Sequence, residues 1–170
     1  MLIRTGLMVL LFGLLLGCSP DYNWRQVTVA NGAASAFFPD RPLTQERPLS
    51  FAGHEIVFSL TSATVDGAVF AVGYAALPAR LRESRGDAGQ FATGVIESLY
   101  RNLGAVPPTE LPRFGEPFVI EGQSRGTAVR LQATVWLTAD ALIEGLVTAD
   151  QASYPLAEAD EFLRNVKVAR

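Results

Sequence analysis

A single cysteine, Cys18, and a single histidine, His54, are all that this 170-residue chain holds of the residue types most used for crosslinks, metal sites and proton transfer. With one thiol no internal disulfide can form, so the fold must rest on packing alone. With one imidazole and no second thiol, neither a zinc set nor a Cys–His pair can be completed, and His54 reads as a strand-end or surface residue. Positive charge is scarce as well. The 14 Lys and Arg against 17 Asp and Glu leave −3, which argues against nucleic acid or anionic headgroups as a partner. The acidic residues show no EF-hand spacing and read mostly as solvated surface. No apolar run is long enough to span a bilayer: Gly6 to Leu16 falls short of the about 20 residues needed, and the polar run Ser19-Pro20-Asp21-Tyr22-Asn23 stops it.

What is present begins with that short run. Arg4 precedes it as a positive n-region and Leu15-Leu16-Gly17-Cys18 closes it, the layout of a cleaved secretory leader. These residues resemble the lipobox of bacterial lipoproteins. The resemblance implies cleavage between Gly17 and Cys18, a diacylglyceryl thioether on Cys18 and a domain tethered on the periplasmic side of a membrane. Ser19, rather than an acidic residue, after the anchor implies the outer membrane. Two or three acyl chains at about 0.8 kcal/mol per buried methylene would hold the domain there. Without residues 1–17 the chain keeps 153 residues and a charge of −4, the size of one globular domain. The organisation expected is a leader over 1–17, a lipidated tether over 18–23 and one domain over 24–170.

Within that domain, strands are expected over 24–30 and 34–38 about the turn Ala30-Asn31-Gly32-Ala33, then over 49–51, 54–65 and 68–76. Pro39 and Pro42 close the second of these. Ile56, Phe58 and Leu60 alternate with polar residues, and Phe70, Val72 and Tyr74 share a face, which predicts a sheet with one dry and one wet side. A helix is expected over 87–103, with Asp87 and Gln90 at capping-box spacing, Phe91, Val95, Leu99 and Leu103 on one stripe, and Gly104 as its stop. A proline-rich loop over 105–117 follows, then strands over 118–121, 127–137 and 141–148, a helix from Pro155 through Leu163, and a last strand near Val166 and Val168. In the 127–137 strand Val129, Leu131, Ala133, Val135 and Leu137 alternate with Arg130, Gln132, Thr134 and Trp136. This order predicts an α+β domain, an antiparallel sheet flanked by helices.

The Trp24 strand, the Phe37-Phe38-Pro39 exit, the helix before Gly104, the long strand pair and the ending Glu161-Phe162-Leu163-Arg164-Asn165-Val166 are similar to the PsbP/Mog1-type α/β/α sandwich. That resemblance implies a binding or assembly-accessory role, because members mostly dock on larger complexes. No catalytic constellation emerges. Gly122-Gln123-Ser124-Arg125-Gly126 matches G-x-S-x-G, but a nucleophile elbow needs a strand before it, a helix after it and a downstream histidine, and a hairpin turn explains the glycines better. Arg80, Arg82 and Arg85, in a flexible-looking stretch before the helix, and Trp136 mark a candidate anion or partner surface. Metal and cofactor are not expected, beyond the lipid on Cys18. The expected function is a membrane-anchored binding or assembly-accessory domain for an envelope protein or ligand. The alternative is a cell-envelope enzyme with a carboxylate-based site, which a pocket lined by Asp and Glu would favour.

Overall fold

The computed structural model describes residues 22–51 and 54–169. The leader, its cleavage position at Gly17 and the anchor Cys18 lie outside the described residues. Packed structure already takes in Tyr22 and Asn23, assigned above to the tether. Tyr22 stacks on Trp24 with ring centroids 5.9 Å apart, and the Asn23 amide donates to the Pro39 carbonyl at 2.6 Å.

The described residues form two antiparallel sheets and three α-helices. Strands β1 (Arg25–Val29), β2 (Ala34–Phe38) and β9 (Lys167–Val168) make a small sheet in the order β1-β2-β9. The large sheet runs β3 (Leu43–Phe51), β4 (His54–Val65), β5 (Ala68–Ala76), β8 (Ala141–Asp150), β7 (Thr127–Leu137) and β6 (Pro117–Ser124) in that spatial order. Helices α1 (Ala79–Glu83) and α2 (Arg85–Asn102) follow β5, and α3 (Leu156–Arg164) follows β8. The α+β class and the antiparallel sheet with helices at its faces are thus as expected.

The expectation of one wet face is overturned. Ile56, Phe58 and Leu60 point to the side covered by α2, whereas Phe70, Val72 and Tyr74 point to the other, where the small sheet and α3 lie. One core, with Phe91, Ile96, Leu99, Ile120, Leu131 and Val135, sits under α2. A second, with Phe38, Phe70, Ile143, Val147 and Phe162, sits on the opposite face. Its centre is aromatic: Phe162 meets Phe38 and Phe70 edge-on at 5.3 and 5.6 Å between centroids, geometry favoured by the ring quadrupoles. Period two tells which residues share a face; it cannot tell whether a third layer covers the more polar one.

That layer changes the status of the polar residues of β7. Gln132 is half-buried, donates to Asp160 on α3 at 2.7 Å and accepts from the Tyr154 hydroxyl at 3.4 Å. Tyr154 also donates to the Val147 carbonyl at 3.3 Å, and the Arg130 guanidinium lies 5.3 Å from its ring centre.

The ends of α2 depart from expectation in one respect. Its cap is Ser84, whose Oγ accepts from the Asp87 amide at 3.3 Å, so the helix starts two residues earlier and Asp87 sits in its first turn, where a carboxylate suits the helix dipole. At the other end Gly104 takes φ +64°, its amide donates to the Arg101 carbonyl and the Ala105 amide to that of Tyr100. That is the bond pattern of a Schellman stop.

Replacing Gln132 by alanine removes the donor to Asp160 and leaves the Tyr154 hydroxyl only the Val147 carbonyl as acceptor. Urea denaturation should show a loss of about 1–3 kcal/mol. A change within about 0.5 kcal/mol, the usual effect at a solvated surface position, would mean that this face is wet.

Candidate functional site

Helix α2 lies off-centre on its face of the large sheet, packing closest over β6 and β7. The strands on the other half, β3, β4 and β5, therefore retain an open groove beside it. This cleft has a volume of about 1110 Å³ and follows α2 from Gly86 to Asn102, a length of about 24 Å at the rise of an α-helix. Its helix wall combines small residues such as Gly86, Gly89 and Gly94 with larger ones such as Phe91, Val95 and Arg101, and its sheet wall combines the apolar Leu49, Ile56, Phe58, Leu60, Ala75 and Leu142 with Gln45, Arg47, Ser50 and Glu144.

The strand register fixes the floor. One row runs Arg47, Phe58, Ala75, Leu142 and the next runs Gln45, Leu60, Gly73, Glu144, all facing the cleft. Glu144 is the deepest polar group: it is 5% exposed, and its Oε2 has no hydrogen-bond partner. Burial in apolar surroundings pushes its carboxyl up from 4.5 to about 7, because charge is poorly solvated there. Gly73, directly across the ladder, makes the side chain possible. A Cβ there would come within 2.6 Å of both Glu144 Cγ and Phe58 Cζ.

The other ionisable groups of the cleft are Arg47 on β3 and Glu97 and Arg101 on α2, while β4 and β5 contribute none. Arg101 Nη1 pairs with Glu97 Oε2 at 3.2 Å. Arg47 has no ion pair among the described residues. The arrangement can therefore take an elongated apolar molecule, supply one buried carboxyl to a polar group on it, and offer a cation at the outer wall.

The residues singled out by sequence fall elsewhere. Arg80 and Arg82 are exposed on α1 and Arg85 opens α2, so the flexible-looking stretch is in fact helical; Leu81, between them, is buried and pins it. Arg82 lies 3.6 Å from Asp140 across an exposed contact. Trp136 belongs to the opposite face, half-buried in the second core, where a Cβ on Gly145 would stand 3.3 Å from its ring. It therefore does not join the arginines in one surface, and its indole serves packing. His54 begins β4, and its side chain lies outside the described residues. Ser124 is exposed at the end of β6, opposite Thr127 in the β6–β7 hairpin, with Arg125 and Gly126 at positive φ in the turn. Gly122 has a different reason from the hairpin supposed above: it passes against the Leu103 carbonyl, which a Cβ would strike.

Glu144 is the residue that sequence reading missed. Its signal was a lone acid in Ala141-Leu142-Ile143-Glu144-Gly145-Leu146-Val147, a run apolar on both strand faces as only a doubly covered strand is. Among the described residues, no group of three or more His, Cys, Asp or Glu converges as a metal set, and no helix is long and apolar enough to cross a membrane.

The raised pKa fixes a sign. The folded state holds the Glu144 proton more tightly than the unfolded chain, so this residue should make the fold lose stability as pH rises from about 4.5 to about 7 and add no further slope above. Glu144→Gln removes that slope and should gain on the order of 3 kcal/mol over the parent at pH 8. Urea titrations of both proteins across pH 4–9 read it; parallel curves would mean that the carboxyl is hydrated in the fold.

No family model and no curated protein matches the chain. Among solved structures, a crystal structure from Bacteroides thetaiotaomicron VPI-5482 is similar over 86% of this chain at 14% identity with a TM-score of 0.47. This chain spans about half of that one, 48% of its length.

Proposed function

We propose that this protein is a membrane-anchored binding domain of the bacterial envelope, lipidated at Cys18 and then freed of residues 1–17, and that the α2 cleft is where it binds. The observation that carries the binding reading is Glu144: a carboxyl without a partner at one oxygen, buried on the groove floor among Phe58, Leu142 and Val135. An unsatisfied buried polar group costs stability, and a cleft with apolar walls and a few placed polar groups is the usual form of a small-ligand site. The anchor rests on the Leu15-Leu16-Gly17-Cys18 pattern, and Ser19 favours the outer membrane. The PsbP/Mog1-type sandwich is the architecture proposed, and the docking role of that family fits an accessory in a larger envelope assembly.

The placement of the first described residues supports the same arrangement. Tyr22 and Trp24 pack on Phe70, on the sheet face opposite the cleft. The first described residues thus pack on the side of the sheet away from the groove. A second reading, an envelope enzyme using carboxylates, draws on Glu144 and Glu97 lining one cleft, with Glu144 protonated near neutral pH as a general acid would be.

Two experiments test the proposal. Cys18→Ser in the full chain should abolish labelling by radioactive palmitate and leave the leader uncleaved, since lipidation precedes cleavage in the lipoprotein pathway; labelling or normal processing of the variant overturns the anchor. For the cleft, the apolar fluorophore 1-N-phenylnaphthylamine should bind with a blue shift, and Gly89→Trp should reduce its affinity at least tenfold. Gly89 lines the groove and a Cβ there meets nothing within 4 Å, so the indole fills the cleft while a helical glycine is replaced by a better helix former. Probe binding unaffected by Gly89→Trp, or no binding by the parent, overturns the site. Turnover of an ester or glycoside that Glu144→Gln abolishes would replace the binding reading with the enzymatic one.

A further inference from the structure

The cleft has a shape, a single deep polar group and a sign of charge at its rim, and these narrow what it holds. It is elongated along α2, and the glycines and hydroxyl residues of the helix wall let a narrow molecule lie close to the backbone. Its sheet wall presents an aliphatic and phenyl strip along β4, Leu60, Phe58 and Ile56, continued by Leu49, with Gln45 and Arg47 at its outer edge. A globular or flat polar ligand would leave that wall wet; an extended hydrocarbon chain would cover it.

We propose, building on the binding role assigned to the cleft, that its occupant is a single-chain acyl lipid with an anionic head: the chain lies along α2, the acyl carbonyl oxygen accepts a hydrogen bond from the Glu144 carboxyl, and the head meets Arg47. The geometry of the floor supports each part. Glu144 and Arg47 lie on strands three apart, β8 and β3, in adjacent rows of the same face, a separation of about 14 Å across the sheet that an arginine side chain and a glycerol ester linkage bridge together. Arg47 is exposed and free of ion pairs among the described residues, and with Glu144 protonated the lining groups Arg47, Arg101 and Glu97 sum to a positive cleft on a protein of net charge −3. The overall negative surface bears on membranes and polyanions, whereas a single ligand reads the local field.

The protonation state of Glu144 separates this occupant from its rivals. A carbonyl acceptor binds the protonated acid and a cationic amine binds the carboxylate, so the two have opposite pH dependences. The groups facing Glu144 are Arg47 from β3 and Glu97 and Arg101 from α2; Leu60, Phe58 and Ala75 from β4 and β5 do not titrate, and β7 presents Val135 beside it. Glu97 pairs with Arg101, whereas Glu144 is buried with one oxygen unpartnered, so a pH dependence between 6 and 9 reports Glu144.

The test is competition for phenylnaphthylamine by 1-palmitoyl-lysophosphatidylglycerol below its micelle concentration. The protein is the chain from residue 18 onward with Cys18→Ser, which keeps every residue of both cores. Displacement should weaken as pH rises above 7, approaching about tenfold per pH unit. Glu144→Gln, whose amide still donates, should bind with no pH dependence, and Glu144→Leu should lose at least tenfold. Arg47→Ala should weaken the lysophospholipid several-fold and leave uncharged monopalmitoylglycerol unchanged. Affinity that rises with pH, preference for hexadecyltrimethylammonium, or equal binding of charged and uncharged acyl lipids overturns the proposed occupant while phenylnaphthylamine binding sensitive to Gly89→Trp upholds the cleft. Failure of the fluorophore itself to bind overturns both.

Discussion

The described fold is arranged around strand β8, which is covered on both faces. Its residues from Ala141 to Gly145 are all buried, with Leu142 in the core beneath α2 and Ile143 and Val147 in the core beneath α3 and the small sheet. A strand so placed can hold only apolar or small side chains unless each exception is given room. Gly145 is one accommodation: Val166 and Leu163 stand 3.2 and 3.3 Å from where its Cβ would be, so the absence of a side chain lets α3 and the segment after it come down onto the sheet. Gly73 is the other, and what it accommodates is Glu144. The pair is one unit across a ladder, an acid that fits only because its neighbour lacks a side chain.

The cleft follows from an asymmetry of cover. Six strands are wider than one helix, and α2, held at its far end by the Schellman stop at Gly104 and by the bond from the Gln123 amide to the Leu103 carbonyl, is drawn towards β6 and β7. Its buried face, from Ala88 through Phe91, Ile96 and Leu99 to Leu103, fills that half of the sheet. The other half keeps its apolar residues, and the helix flank above them includes Gly86, Gly89 and Gly94. Open space there results from where the helix is tethered and which residues it turns sideways.

Much of the architecture was legible in the order and period of the sequence, because the features that specify it are local. Asn31-Gly32 and Asp66-Gly67 turn the chain with positive φ where expected, and the alternation from Val129 to Leu137 puts Leu131, Ala133 and Val135 in one core. Strand β3 was read too short, as Leu49–Phe51 rather than Leu43–Phe51, because Pro48 speaks against a strand unless it lies at an edge. The second core was illegible for another reason: Gln132 and Trp136 on a strand look solvent-facing until α3 arrives from 20 or more residues later to cover them. The site was missed on the same ground. Arginines before a helix stand out in a linear string, whereas Glu144 acquires its meaning only from Gly73 and Phe58, which the fold brings from two other strands.

The outer wall of the cleft is a sheet margin, and margins invite other chains to add to them. β3 pairs with β4 alone, leaving a row of backbone groups on its far side that could template a foreign strand. Pro48, opposite Val57 in the middle of that wall, has no amide to give, and Glu46 and Arg47 beside it carry charge. Together they interrupt continuous zippering of a neighbour, so the protein can keep an exposed groove without that groove's edge seeding aggregation.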